Sequence, residues 1–358
     1  MSLNASPMGR ALERLESGSK ETIGRGSIRR VEIGRKGWLD LTADAPGGQR
    51  WFRWDSGQSR ELLPEHDRSL RLARRLPGNA RVLSYRPDRR IVVEYEQHGQ
   101  RVVEKGYRKG RSGLAADRYS CMEETRGCGF VVPRLIRHRR ETESLVFEHI
   151  PGESLTSRTA SPDVLAPLGA ALRKLQEHGV AERLEPFGPE DELAVLDRWA
   201  AKVREASGGL PRDWGQMRAE LERKRPDPTW CRVGMTHRDL HDRQLLMTQS
   251  GLAILDCDSL CRADVALDPA NFVAHLHLRA LQNDFDGRAA DDASEAFLAG
   301  LSRSSERGFR ERLGFYQTSS YLRLALVYSL RPRWLDRVPE LVRLARTCLE
   351  PLPNGVTP

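Results

Sequence analysis

Residues 236–260 read THRDLHDRQLLMTQSGLAILDCDSL, two acidic motifs flanking a short apolar stretch. His237-Arg238-Asp239 is followed, five residues after the aspartate, by Gln244. Leu245 and Leu246, a turn at 249–251, and Ile254 and Leu255 then read as two short apolar strands in a hairpin, the second running into Asp256-Cys257-Asp258. Such a hairpin buries its leucines and isoleucine and carries one carboxylate at each end, so Asp239 and Asp256 come to one rim. A His-x-Asp triplet alone occurs in ordinary turns. The amide, the hairpin and the second acidic motif together single this one out.

Outward from the hairpin, the hydrophobic period divides the chain. Residues 28–41, 49–54, 81–85, 90–96 and 101–107 alternate as short strands punctuated by Gly, Pro and Asp. Between them, Leu70, Leu72, Ala73 and Leu76 among charges predict a short helix over 63–76. A further helix is expected at 114–126, stopped by Gly127 and Gly129, and strands at 131–137 and 144–150 follow, the second running into Pro151-Gly152. Beyond residue 152 the pattern turns helical, at 162–177, 190–206, 214–225, 269–282, 290–301, 309–330 and 335–349. Strands are expected there at 233–237 and 252–256, beside the apolar run at 245–246. The class is α+β: a small antiparallel β-sheet with one main helix, a hinge near 150, and a larger, mostly helical lobe. Three units are expected: an extension over 1–80, a small nucleotide-binding lobe over 81–150, and a helical catalytic and substrate lobe over 151–358.

Composition narrows the function. The 358 residues carry a net charge of +8, but the basic residues are spread over the whole chain and interrupted by acids. A nucleic-acid binder concentrates them on one face or tail, so no nucleic-acid partner is expected, and anionic ligands are favoured only weakly. The six cysteines form no CxxC pair and no Cys/His ladder at zinc spacing, which makes reduced thiols the default. With no apolar run near the roughly 18 residues that span a bilayer, and no leader pattern, no membrane partner is expected and the location is cytoplasmic. The polar opening to about Lys20 is expected to be partly disordered.

Phosphoryl transfer from ATP needs a carboxylate near the acceptor hydroxyl and further oxygens for the magnesium ions that bridge the phosphates. Asp239 and Asp256 can supply both. In order and spacing the stretch resembles the catalytic loop His-Gly-Asp-Leu-His-Pro-Gly-Asn and the metal motif Ile-Asp-Phe-Asp of the aminoglycoside phosphotransferases and choline kinases, members of the protein-kinase-like superfamily. The resemblance implies a protein-kinase-like bilobal fold, ATP and Mg2+ as cofactors, Asp239 as catalytic base, and Gln244 and Asp256 as metal ligands. Two departures stand out: Arg238 for the usual Gly, and Gln244 for the usual Asn, the latter shared with maltokinase-like members. Asp268-Pro269-Ala270 resembles the family segment that opens a helix and braces the catalytic loop; Asp268 also suits a helix N-cap, a structural role.

On the nucleotide side, Lys105 in Val102-Val103-Glu104-Lys105-Gly106-Tyr107 follows a hairpin turn and resembles the family's Leu-Lys-Val-Tyr strand, which implies a cation for the α and β phosphates. A solvent-facing lysine on an edge strand is the plain alternative. Asp117 and Glu124, seven apart, share one face of the following helix, and Asp117 is the expected partner of Lys105. Residues 84–89 occupy the place of the phosphate-covering loop without its glycines, where a plain hairpin turn is equally compatible. The segment 146–150 would be the hinge, with Glu148 and Ile150 offering backbone groups to adenine.

Only twelve residues separate Asp256 from Asp268, too few for the activation segment with which protein kinases hold a peptide. A small-molecule hydroxyl acceptor is expected instead: a sugar, an amino alcohol or an aminoglycoside-like compound, with Asn271, His275 and His277 as candidate lining. Trp38, Trp51, Phe52 and Trp54 suggest that the extension is a small packed unit capping the small lobe, comparable to that of maltokinase-like enzymes, or a partner-binding surface. A nucleotide-binding pseudokinase and an atypical protein kinase are the competing readings.

Overall fold

The computed structural model describes residues 6–18, 24–34, 37–158 and 161–350. Its first element is a helix, α1 (Pro7–Gly18), where disorder was expected. Met8, Ala11, Leu12 and Leu15 recur at helical spacing and are buried, and that stripe packs α1 against a later helix. The rest of the polar opening, residues 1–5 and 19–23, lies outside the described residues.

Strands β1 (Ile28–Ile33), β2 (Leu39–Ala45), β3 (Gly48–Asp55) and β4 (Gln58–Leu62) form an antiparallel meander. The run expected over 28–41 is broken after Ile33, where the Gly34 N–H donates to the Trp38 carbonyl at 2.8 Å. A Cβ at Gly34 would stand 1.7 Å from Trp38 Nε1, so only glycine fits this approach. Within the sheet, Arg53 grips Asp40 at 2.7 and 2.9 Å and lies over the Trp38 ring.

The helix expected over 63–76 does not form. The stretch holds two 3-10 turns, Pro64–His66 and Ala73–Arg75. Asp67 is the reason: its carboxylate accepts the Ser69 N–H at 2.8 Å, the Tyr85 hydroxyl at 2.9 Å and the Asp88 N–H at 2.8 Å. A side chain that satisfies local backbone donors competes with helical bonding, and Leu70, Leu72 and Ala73 are buried under the next sheet instead.

That sheet comprises β5 (Arg81–Arg86), β6 (Arg90–Gln97), β7 (Gln100–Tyr107), β8 (Leu135–Arg139) and β9 (Ser144–Glu148), in the order β5-β6-β7-β9-β8, all antiparallel. Helix α2 (Ser112–Glu124) lies between β7 and β8 in sequence. Strand alternation sends Glu104 and Gly106 to one face and Lys105 and Tyr107 to the other, and cross-strand register pairs Lys105 with Val92 and Tyr107 with Arg90. Arg90, Lys105 and Tyr107 therefore share one face. On the opposite face the buried Glu104 is held by Tyr95 at 2.7 Å and Arg139 at 2.9 Å.

The remainder is mostly helical: β10 (Glu153–Ser154), α3 (Pro162–Gln176), β11 (Pro186–Phe187), α4 (Pro189–Ser207), α5 (Trp214–Arg223), β12 (Val233–Thr236), β13 (Leu245–Thr248), β14 (Gly251–Ile254), β15 (Cys261–Asp264), α6 (Leu267–Leu281), α7 (Gly287–Leu301), α8 (Phe309–Tyr328) and α9 (Val338–Leu349). The helices expected beyond residue 152 all form, within a few residues. The last starts at Val338 rather than 335 because Trp334, at φ −126°, breaks the helical path. Strand β15, which the sequence did not announce, pairs antiparallel with β12 and fixes the chain between Asp258 and α6. The N-terminal sheet touches both halves: the Val31 N–H donates to the Leu330 carbonyl at 2.9 Å, and Arg53 reaches Asp88 at 2.6 Å in the β5–β6 turn.

Candidate active site

The loop after β12 is shaped from beneath by one face of α6. Asp268 is not the N-cap expected of it; Ala266 holds that position, and the Asp268 carboxylate accepts the N–H groups of His237 at 2.6 Å and Arg238 at 2.7 Å. Three residues on, Asn271 donates to the Leu240 carbonyl at 2.8 Å. His275 then stacks on His241 with ring centroids 4.6 Å apart, and Arg279 grips Asp242 at 2.8 and 2.9 Å. Positions 268, 271, 275 and 279 recur at helical spacing, so a single stripe anchors the whole loop. Asn271 and His275, expected to line an acceptor pocket, are spent on this support. His277 points elsewhere, to Tyr321 and Asp291.

Backbone strain marks both ends of the hairpin. Arg238 has φ +69° and Asp256 has φ +57°, in the left-handed region that costs an ordinary side chain about 1 kcal/mol. Arg238 is held there by the Asp268 carboxylate and by packing of its guanidinium over the Phe187 ring at 4.4 Å. His237 is buried, its Nε2 2.8 Å from the Leu255 carbonyl, and this bond ties the loop to the strand leading into Asp256.

Asp239 and Asp256 differ in surroundings. The Asp239 side chain is 46% exposed, and its nearest ionic neighbour is Arg323 of α8, at 3.9 Å. Asp256 faces Lys105 Nζ at 2.6 Å and Arg90 at 3.1 Å. Burial by itself would raise the Asp256 carboxyl, but Lys105 and Arg90 override it and hold the group well below the usual carboxylate range. Asp258 joins the same cluster: Lys105 lies 2.7 Å from it, the Tyr107 hydroxyl donates to it at 2.8 Å, and Arg118 of α2 donates to its carbonyl.

Lys105 thus finds its acids across the cleft. Its side chain is only 6% exposed, not a solvent-facing strand lysine. The expected pairing with Asp117 is not formed: Asp117 is exposed on α2, and Glu124 pairs with Arg183 at 2.6 Å. Glu123 accepts the Leu135 N–H at 2.9 Å and so secures β8 to the helix.

Gln244 ends a short 3-10 turn; its carbonyl accepts the Leu255 N–H at 2.8 Å, and its side-chain amide lies 3.4 Å from His241 Nε2. In the hinge, the Glu148 N–H is already donated to the Arg134 carbonyl at 3.1 Å, whereas the Ile150 N–H makes no hydrogen bond among the described residues. Residues 84–89 form a pinned hairpin turn, with Asp88 at φ +58° bonded to Ser69 at 2.8 Å and to Arg53 at 2.6 Å. Arg86 of this turn reaches Glu32 of β1 at 3.2 Å.

Asp256 and Asp258 are the two carboxylates that meet Lys105 across the cleft, close enough together for a divalent cation to be tested between them. His241, Asp242 and His275 also lie within mutual reach of an ion, but both Asp242 oxygens are occupied by Arg279. Burial depresses both of those imidazoles, so near neutral pH they are uncharged and pack as rings. Arg90, Asp258, Tyr107, Arg118 and Arg323 escaped sequence reasoning as site residues. Only Asp258, two residues from Asp256, carried a local signal.

No curated protein matches the chain in sequence. Among solved structures, the amicoumacin kinase determined with AMP-PNP, Ca2+ and its ligand is similar at TM-score 0.55 and 14% identity, covering 76% of this chain and 89% of that one. Choline kinase LicA of Streptococcus pneumoniae is similar at TM-score 0.53 and 15% identity, over 75% and 93%. An aminoglycoside phosphotransferase of Streptomyces rimosus follows at 0.52 and 18%, over 72% and 96%. These likenesses establish the kinase-like α+β fold. The phosphotransferase enzyme family matches residues 87–315, from the β5–β6 turn into α8, and the chain belongs to that family of small-molecule phosphotransferases.

Proposed function

We propose that the protein transfers the γ-phosphate of ATP to a hydroxyl group of a small molecule, with Asp239 as the catalytic base. The observation that carries this reading is the meeting of Lys105, from the small sheet, with Asp256 at one end of the hairpin whose other end presents the open carboxylate of Asp239. In the step, the acceptor oxygen forms a bond to the γ-phosphorus, the bridging oxygen leaves with ADP, and the hydroxyl proton passes to Asp239. Asp256 and the Gln244 amide oxygen would hold Mg2+, which supplies neutralisation of the phosphate charge. Lys105 meets the α and β phosphates, and the unbonded Ile150 N–H offers a donor to the adenine edge.

The chain between Asp256 and Asp268 supports a small acceptor. A 3-10 turn at Cys257–Ser259 and strand β15 fill it and lead directly into α6, leaving no platform for a peptide. No helix among the described residues is long and apolar enough to cross a membrane. All six cysteines are unpaired, which supports a reducing, cytoplasmic setting.

The test is Asp239→Asn. AMP-PNP affinity should stay unchanged, while ADP release, measured against a panel of hydroxyl compounds and against water, should fall by about a hundredfold or more. Undiminished turnover would remove Asp239 from its role. A wild-type protein that binds the nucleotide equally well with and without Mg2+ and releases no ADP is a binding module instead.

A further inference from the structure

The basic residues that the sequence scatters are gathered by the fold. A chamber of about 640 Å³ opens beside the carboxylate cluster, between the β5–β6 turn, α2, α4 and the N-terminal sheet. Eight of its eighteen lining residues are Arg or Lys, against three Asp. Those three acids are already matched: Asp40 and Asp88 by Arg53, and Asp258 by Lys105 and Arg90. Arg108, Arg111 and Lys202 line the chamber with no acidic partner among the described residues. Burial and the neighbouring Arg89 push the Lys202 ammonium below its ordinary value, and Glu32, which already pairs with Arg86 and Arg89, offsets this only in part.

The chamber begins at the turn 86–89, in the position of the phosphate-covering loop, and does not extend to the adenine end of the nucleotide's place. Neither Lys105 nor the hinge residues Glu148 and Ile150 line it, yet it shares Arg90 and Asp258 with the catalytic cluster. A ligand there lies against the centre on the side away from adenine. Its concave walls suit a small molecule, not a polymer backbone. A polycationic acceptor would meet uncompensated like charge, at a cost that grows as water is excluded.

We propose that this chamber holds the anionic end of the phosphate acceptor, and that the acceptor is a hydroxyl compound already carrying a phosphate or a carboxylate. The proposal rests on the phosphotransferase reading and specifies its substrate class. Arg111 and Lys202 act as the recognising cations, and the free hydroxyl of the same molecule extends toward Asp239.

The experiment uses the full chain saturated with AMP-PNP and Mg2+, titrated calorimetrically with 6-phosphogluconate, glucose 6-phosphate, gluconate, glucose and kanamycin. At least one anionic probe should bind tenfold or more tighter than glucose. Comparing gluconate with glucose 6-phosphate tells which anion is read. Combined Arg111→Ala and Lys202→Met substitution should weaken anionic binding at least tenfold, since two charge contacts are lost, and leave AMP-PNP affinity and the unfolding midpoint unchanged. Glucose or kanamycin binding as tightly as every anionic probe overturns the proposal, and so does anion binding indifferent to the two substitutions. If anions bind in the expected way but AMP-PNP does not bind at all, the acceptor role falls together with the phosphotransferase reading, while the anion site itself stands.

Discussion

Lys105→Met removes the cation that lies nearest both Asp256 and Asp258, at 2.6 and 2.7 Å. The two carboxylates then share a single guanidinium, Arg90, at 3.1 and 3.5 Å. Breaking a fully buried pair costs about 3–5 kcal/mol. Here both carboxylates keep roughly a fifth of their surface and retain Arg90, so the expected loss is about 2 kcal/mol. A double-mutant cycle in urea unfolding locates that energy. Lys105→Met combined with Asp258→Asn should show a coupling of about 1–2 kcal/mol, whereas Lys105→Met combined with Asp117→Asn should be additive within about 0.5 kcal/mol. Mg2+ should also restore more stability to Lys105→Met than to the parent, because a divalent cation replaces the lost charge between the acids. Strong coupling to Asp117 and none to Asp258 would refute the cross-cleft arrangement.

Three further outcomes follow from buried contacts. Burial would raise the Glu32 carboxyl, but Arg86, Arg30 and Arg89 hold it at about 2; its contribution, on the order of 3 kcal/mol, is present above the ordinary glutamate value near 4.5 and fades as the pH falls toward 2. Urea unfolding of Glu32→Gln and the parent should therefore differ at pH 7 and converge in acid; a gap that widens in acid would contradict the pairing. Arg279→Ala leaves buried Asp242 unpaired and should cost about 3–5 kcal/mol by chemical unfolding, with Asp242→Asn/Arg279→Gln recovering part of it. Gly169→Ala would place its Cβ 2.1 Å from the Phe297 carbonyl oxygen where α3 crosses α7, and a melting temperature lower by several degrees should report the displaced helices.

Local pattern announced the elements and the candidate site residues that lie near one another along the chain. The hairpin over 245–254 with an acid at each end, the alternating strands around Lys105, and the helices beyond residue 152 are written in local period and turn chemistry, which depend on neighbours a few residues away. The stripe of α6 that anchors the catalytic loop was equally legible as a spacing, but its use was not, because His275 on a helix face looks the same whether it meets a ligand or a neighbouring ring. Residues 63–76 carried helical-looking apolar positions, and Asp67 redirected them through bonds to Tyr85 and Asp88 that no local pattern announces. Which acid answers Lys105 was settled by packing, since the choice between Asp117 and the pair at Asp256 and Asp258 depends on the cleft across which the small sheet faces the hairpin. The same holds for the scattered arginines. Charge composition is additive along a chain, but the field in a cavity depends on which side chains converge there and which acids they have already met, and folding alone brings Arg53, Arg111 and Lys202 around one chamber.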